Sequence, residues 1–141
     1  MSRDKFRFHE ITEGVIGAAM RVHSALGSGF PEVVYQRALE IELVENHIRH
    51  QREFEMTIFY RCTPVGKRRV DFLVENKIAV EIKAISLLEP LHLTQALNYL
   101  EAYNLEVGLL INFGTRSLEF KRLTNKKYLP DLGPLHAQTP Q

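Results

Sequence analysis

The chain has 141 residues, a single cysteine and a net charge of +1. That length fits one domain with one core. The near-neutral charge supplies no global field for a polyanion, so nucleic-acid binding would need a local patch, and a lone Cys62 excludes an intrachain disulfide and cysteine-rich zinc sites. Apolar residues make up 45% and charged residues 25%, ordinary values for a globular protein. Three of residues 1–5 (Arg3, Asp4 and Lys5) are charged and no apolar segment of a signal peptide follows them. The longest apolar run, 107–113, is too short to span a bilayer. The expectation is a soluble, cytoplasmic protein with no membrane partner.

Over 8–26, Ile11, Val15, Ala19, Val22 and Leu26 recur at three and four, a helix period, and Gly27 and Gly29 stop it. Pro31 suits the first turn of a second helix, whose broad apolar face is Tyr35, Leu39 and Leu43 with Val34, Ala38 and Ile41; this helix should fade near Asn46. Phe54, Met56 and Ile58 alternate with polar residues, the pattern of a half-buried strand. Thr63-Pro64-Val65-Gly66 reads as a turn. Two further strands are expected over 70–74 and 78–84, separated by Glu75-Asn76-Lys77. Pro90 opens a helix in which Leu93, Leu97 and Leu100 form the core-facing stripe. The run 107–113 has the pattern of a strand covered on both faces, and 118–123 alternates again. A single domain is expected over 1–127, with a loosely structured tail over 128–141. The order helix, helix, three strands, helix, strand, strand predicts an α/β protein with a mixed sheet.

The chemistry concentrates in 70–84. Glu81 and Lys83 are two apart on a strand and share a face, while Val80, Ile82 and Ala84 take the other. Asp71 lies on the preceding strand, and its position depends on register. A two-residue turn at Asn76-Lys77 sets Asp71 opposite Ile82; a three-residue turn, Glu75-Asn76-Lys77, sets it opposite Glu81. The functional reading therefore demands an odd-length turn or an equivalent bulge. Two facing carboxylates repel by roughly 4 kcal/mol at about 4 Å and an effective dielectric near 20. A divalent cation reverses that sign, and hard oxygen ligands suit Mg²⁺ or Mn²⁺. With Lys83 beside the ion, the chemistry suggested is metal-assisted phosphodiester hydrolysis. From the hairpin alone, a solvated charged face explains the same three residues about as well.

Other residues supply context. Gln95 and Tyr99, four apart on the helix after Pro90, share a face that could orient a phosphate or a water, or be an ordinary polar flank. Glu32 opens the second helix, where the helix dipole favours an acid, and is also a candidate third acidic ligand. Lys67, Arg68 and Arg69 precede Asp71; they are a candidate backbone-binding patch for nucleic acid or a solvated turn. His23 reads as a packed histidine.

Together these residues resemble the GxxExxY family, a branch of the PD-(D/E)xK nuclease superfamily. Gly29-Phe30-Pro31-Glu32-Val33-Val34-Tyr35 fits the name motif, and Asp71 with Glu81-Ile82-Lys83 fits the superfamily hairpin. Gln95 and Tyr99 fit the Q-x-x-x-Y motif of exonuclease-like members, and Leu110-Ile111-Asn112-Phe113-Gly114 resembles a strand ending in "NFG". The resemblance runs from about Ile11 to Leu123. Val70 stands where many members have proline, which is not a ligand. The resemblance implies a restriction-endonuclease-like fold, a central mixed β-sheet flanked by helices. It implies Asp71 and Glu81 as metal ligands together with the carbonyl of Ile82, Lys83 as the catalytic lysine, and Glu32, Gln95 and Tyr99 completing the site. The expected activity is a Mg²⁺- or Mn²⁺-dependent nuclease acting on DNA or RNA. The alternatives are a catalytically silent nucleic-acid-binding or assembly module on the same scaffold, and a small-phosphoester hydrolase. A chain this short has little room for target recognition, so a second copy or a partner protein is expected to supply specificity.

Overall fold

The computed structural model describes residues 8–135. Helices α1 (His9–Leu26) and α2 (Glu32–Glu45) come first. Strands β1 (His50–Tyr60), β2 (Thr63–Val74) and β3 (Ile78–Lys83) follow, then helix α3 (Pro90–Ala102) and strands β4 (Val107–Asn112) and β5 (Glu119–Thr124). The five strands form one sheet in the order β1-β2-β3-β4-β5. Only β3 and β4 pair in parallel, and α3 is the crossover that a parallel pair requires. The element order and the mixed sheet are those the sequence predicts.

The sheet is covered on both faces. On one side α1 and α2 pack Val15, Ala19, Tyr35 and Leu39 against Phe72, Val80, Ile82 and Ile111. On the other, Tyr99, Leu100 and Tyr103 of α3 pack against Val70, Leu73 and Ala79. β3 and β4 lie between the two layers, which is why they read as nearly continuous apolar runs.

Several local expectations are corrected. The β1–β2 turn is not at Thr63-Pro64-Val65-Gly66 but at Arg61-Cys62, which both take positive φ (48° and 62°). The predicted turn is instead the start of β2, where Thr63 pairs with Tyr60 and Pro64 with Phe59. Pro64 is tolerated because β3 pairs only with 72–74, so this end of β2 has a free side where no amide is needed. In α3 the buried residues are Ala96, Tyr99 and Leu100, while Leu93 and Leu97 are only partly buried. The stripe is therefore shifted toward the tyrosines. In α2, Ile41 is exposed, and the buried face is Tyr35, Gln36, Leu39 and Leu43. Pro31 caps α2 from just outside rather than filling its first turn.

Beyond Lys127 the described part of the tail, to Leu135, contains a 3₁₀ turn at Pro130–Leu132. The buried Asn104 holds it, donating to the carbonyls of Leu129 and Gly133 and accepting from the Leu129 amide. Residues 1–7 and 136–141, and the expectations that fall on them, lie outside the described residues.

Candidate active site

Strands β2 and β3 are joined by Glu75-Asn76-Lys77, with Val74 opposite Ile78 and Phe72 opposite Val80. The Lys77 amide donates to the Val74 carbonyl at 3.0 Å, and Glu75 and Asn76 both have positive φ (53° and 56°), as tight hairpin turns of the primed types require. The turn is three residues long, and continuing its register sets Asp71 opposite Glu81. That is the odd-length turn the functional reading demands.

The ladder opens at that point. Val70 packs on the α3 side of the sheet and Phe72 on the α1/α2 side. Regular alternation would put residues two apart on the same side, so β2 turns over at Asp71. Its neighbour across β1 is Glu53, which adopts φ 54°; the β1–β2 pairing runs from Arg52–Phe72 to Phe54–Val70 with no pair between. Asp71 therefore does not sit on the ordinary face of a hairpin. Its carboxylate fills the gap left by the opened ladder. Oδ2 accepts the Ile82 amide at 2.8 Å, and Oδ1 accepts the side-chain amide of Gln36 at 2.8 Å.

Glu81 is the second carboxylate. Its Oε1 accepts from the Arg68 guanidinium at 2.9 Å, and the pair is largely shielded, with side chains 12% and 26% exposed. Burial pushes the Glu81 pKa up; Arg68 and then Lys83 draw it down, and the charge of Asp71 raises it further. Glu32 at the start of α2 is raised too, first by burial, then by Asp71, with Lys83 opposing and Glu81 adding. These mutual influences place Glu32, Asp71, Glu81 and Lys83 around one electrostatic centre. Tyr99 joins it from α3: its ring lies under the Arg68 guanidinium at 5.8 Å, and Glu81 is among the charges that raise its pKa, after burial and Tyr103. The Tyr99 hydroxyl is buried and has no protein partner. Gln95, one turn earlier, is exposed and makes no side-chain hydrogen bond to the site. Of the basic run, Arg68 alone turns into the site; Lys67 and Arg69 pair with Glu55 and Glu53 on the exposed ribbon.

Gln36 is not among the candidates read from the sequence, and Asn112 enters there only within the strand that ends in "NFG". Gln36 is buried and fixes Asp71, and its own Oε1 is buried without a partner. Four residues after Glu32, it reads in sequence as a helix polar residue, and only the fold shows what it faces. Asn112 is fully buried and satisfied on both ends: Oδ1 accepts from the amides of Ile85 and Gly114, and Nδ2 donates to the Ile85 carbonyl and to Glu119. It clamps the segment leaving Lys83, and the Phe113 amide adds a bond to the Lys83 carbonyl. A Cβ on Gly114 would collide with the backbone of Ala84 and Ile85, so the run Asn112-Phe113-Gly114 is a scaffold for the end of β3. Phe113 stacks on Tyr35 at 4.7 Å. The Tyr35 hydroxyl donates to the Gly27 carbonyl and accepts from the Phe30 amide. The motif tyrosine thus folds the α1–α2 loop, and through it the position of Glu32. His23 accordingly packs near Phe113 and bonds the Thr115 carbonyl.

The donors at this centre are hard oxygens. Each Asp71 oxygen accepts one hydrogen bond, and Glu81 engages one of its two oxygens, so lone pairs remain on both carboxylates. Among the described residues no three His, Cys, Asp or Glu side chains gather into a metal-binding group. The donor set is therefore two carboxylates, to which a backbone carbonyl and water can add. This is the way Mg²⁺ is commonly held, and the residues present fit such an ion.

The fold and the opened hairpin define an α/β protein of the restriction-endonuclease-like class. A family model for the PD-(D/E)XK nuclease superfamily matches residues 9–123, and the chain belongs to that superfamily. The crystal structure of SSO0001 shares the fold, with a TM-score of 0.55 and 23% identity over 87% of this chain. The match spans 62% of that protein's length. No curated protein matches the sequence. Among the described residues no helix is long and apolar enough to cross a membrane.

Proposed function

We propose that the protein is a metal-dependent nuclease of the GxxExxY branch, hydrolysing phosphodiester bonds in DNA or RNA. The observation that supports this reading most is the three-residue β2–β3 turn, whose register, continued, sets Asp71 opposite Glu81, with lone pairs left on both carboxylates. Asp71, Glu81 and the carbonyl of Ile82 would hold Mg²⁺ or Mn²⁺, with Glu32 acting through water. The bound cation supplies Lewis acidity, which lowers the pKa of water and offsets charge on the phosphoryl oxygens.

The chain's own residues do the rest. Gln36 and the Ile82 amide fix the Asp71 carboxylate, so it needs no reorganisation when it acts as a ligand. Lys83 brings an ammonium beside the carboxylates, where it meets the charge that builds on the phosphate as water attacks. The raised pKa keeps Tyr99 protonated, so its hydroxyl is a donor at neutral pH. Gln95, exposed one turn before Tyr99 on the same helix, is assigned to the substrate. Lys67 and Arg69 line the exposed ribbon beside the site and are assigned to the nucleic-acid backbone.

The test is cleavage of linear, circular and single-stranded DNA and of RNA in Mn²⁺, with chelator as the control. The wild type should cut at least one polymer, and Lys83→Ala should lose turnover. Binding without cleavage would favour the silent nucleic-acid-binding module, and activity confined to small phosphoesters would favour that hydrolase instead.

A further inference from the structure

Arg68 sits three residues before Asp71 on β2, with its guanidinium against Glu81 and above the ring of Tyr99. It belongs to the part of β2 that runs past the end of β3, so its backbone is held in the sheet by β1 alone. Lys67 and Arg69 turn to the other side of the ribbon and are well exposed. Arg68 is therefore the arginine that the fold delivers to the acidic centre. By formal charge, the carboxylates of Glu32, Asp71 and Glu81 outnumber Lys83 and Arg68 by one. A divalent cation turns that deficit into a surplus of one positive charge, which a single phosphodiester, with its one negative charge, would match.

We infer that Arg68 is a phosphate ligand parked on Glu81: it neutralises Glu81 while no divalent cation is held, and it passes to the substrate phosphate when Glu81 exchanges it for the cation. This inference rests on the nuclease reading above. Glu81 cannot give full charge to two partners, so taking a divalent ion weakens its hold on the guanidinium. The planar fork of arginine suits a phosphate as well as a carboxylate, and the Tyr99 face gives the parked guanidinium a second attachment. The consequence is coupling. Cation and phosphate each strengthen the binding of the other through Arg68, and the effect is reciprocal.

The experiment is a calorimetric Mn²⁺ titration, without nucleic acid, of the wild type, Arg68→Gln, Arg61→Gln and Asp71→Ala, each first checked for folding by circular dichroism. Arg68→Gln keeps the aliphatic stem and removes the competitor, so it should bind Mn²⁺ about fivefold more tightly or better. Arg61→Gln, which removes the same charge at the exposed hairpin turn, should match the wild type. In parallel, anisotropy of a labelled single-stranded oligonucleotide should show Ca²⁺ strengthening binding in the wild type and much less so in Arg68→Gln. Arg68→Lys keeps the charge without the fork, and should likewise show reduced coupling. Equal or weaker Mn²⁺ binding in Arg68→Gln, or equal tightening in Arg61→Gln, overturns the inference while leaving the nuclease reading intact, provided Asp71→Ala abolishes the Mn²⁺ site. Absence of a Mn²⁺ site in the wild type, or its persistence in Asp71→Ala, overturns both.

Discussion

Glu81 carries its charge where burial opposes it, and Arg68 and Lys83 only partly offset that opposition. Its pKa in the folded protein lies above the ordinary carboxylate value, so near that range the folded state binds more protons than the unfolded one. Stability then falls as pH rises from below the unfolded pKa through the folded one. Above that window the charge of Glu81 is a standing cost to the metal-free fold. In chelator, Glu81→Gln should therefore melt at a higher temperature than the wild type at neutral pH, and the gap should close on acidification through the carboxylate range. A lower melting temperature at neutral pH would mean that the Arg68 ion pair outweighs the burial. Retaining a destabilised carboxylate is what a ligand requires and a surface hairpin does not.

At the scale of elements, the site depends on two segments that touch no substrate in this account. The α1–α2 loop is folded by Tyr35, and the exit from β3 is clamped by Asn112 and Gly114. The Tyr35–Phe113 stack ties the two together, so Glu32 and Lys83 are positioned by one scaffold. Asn112→Ala would strand the amides of Ile85 and Gly114 and the carbonyl of Ile85, all partly shielded from water. It should cost roughly 3 kcal/mol, or about 10 °C in melting temperature. Gly114→Ala should cost at least as much, because the added methyl meets backbone rather than a movable side chain. Thermal denaturation in chelator checks both; a loss well under 1 kcal/mol for either would show that the clamp is dispensable.

Across the whole molecule, the sequence revealed most where periodicity is local. The helix and strand order and the two-sided burial of β4 follow from the spacing of apolar residues, whereas the sequence leaves the β2–β3 turn open between two and three residues and only the fold makes it three. The β1–β2 turn lies two residues before the predicted one because Thr63, Pro64 and Gly66 are turn formers, while Arg61 and Cys62, which take positive φ, are not. The reversal of β2 at Asp71 left no mark in the pattern, because it goes with the break in the β1–β2 ladder where Glu53, at φ 54°, and Asp71 are left unpaired with each other. Gln36 escapes for a related reason, and Arg68 reads in sequence only as one of three basic residues of a candidate patch: each acts through a contact with a distant segment, and neither type is rare on a surface. The same long-range assembly converts three charged residues of one hairpin into a candidate centre reached from α2, β2, β3 and α3.

The central claim is that Asp71 and Glu81 form a divalent-cation site. Thermal denaturation with and without millimolar Mn²⁺ tests it most directly, since a ligand that binds only the folded state raises its stability by mass action. The wild type should melt at a higher temperature in Mn²⁺, and Asp71→Ala and Glu81→Ala should lose that shift. An equal shift in all three proteins, or none in the wild type, would contradict the account.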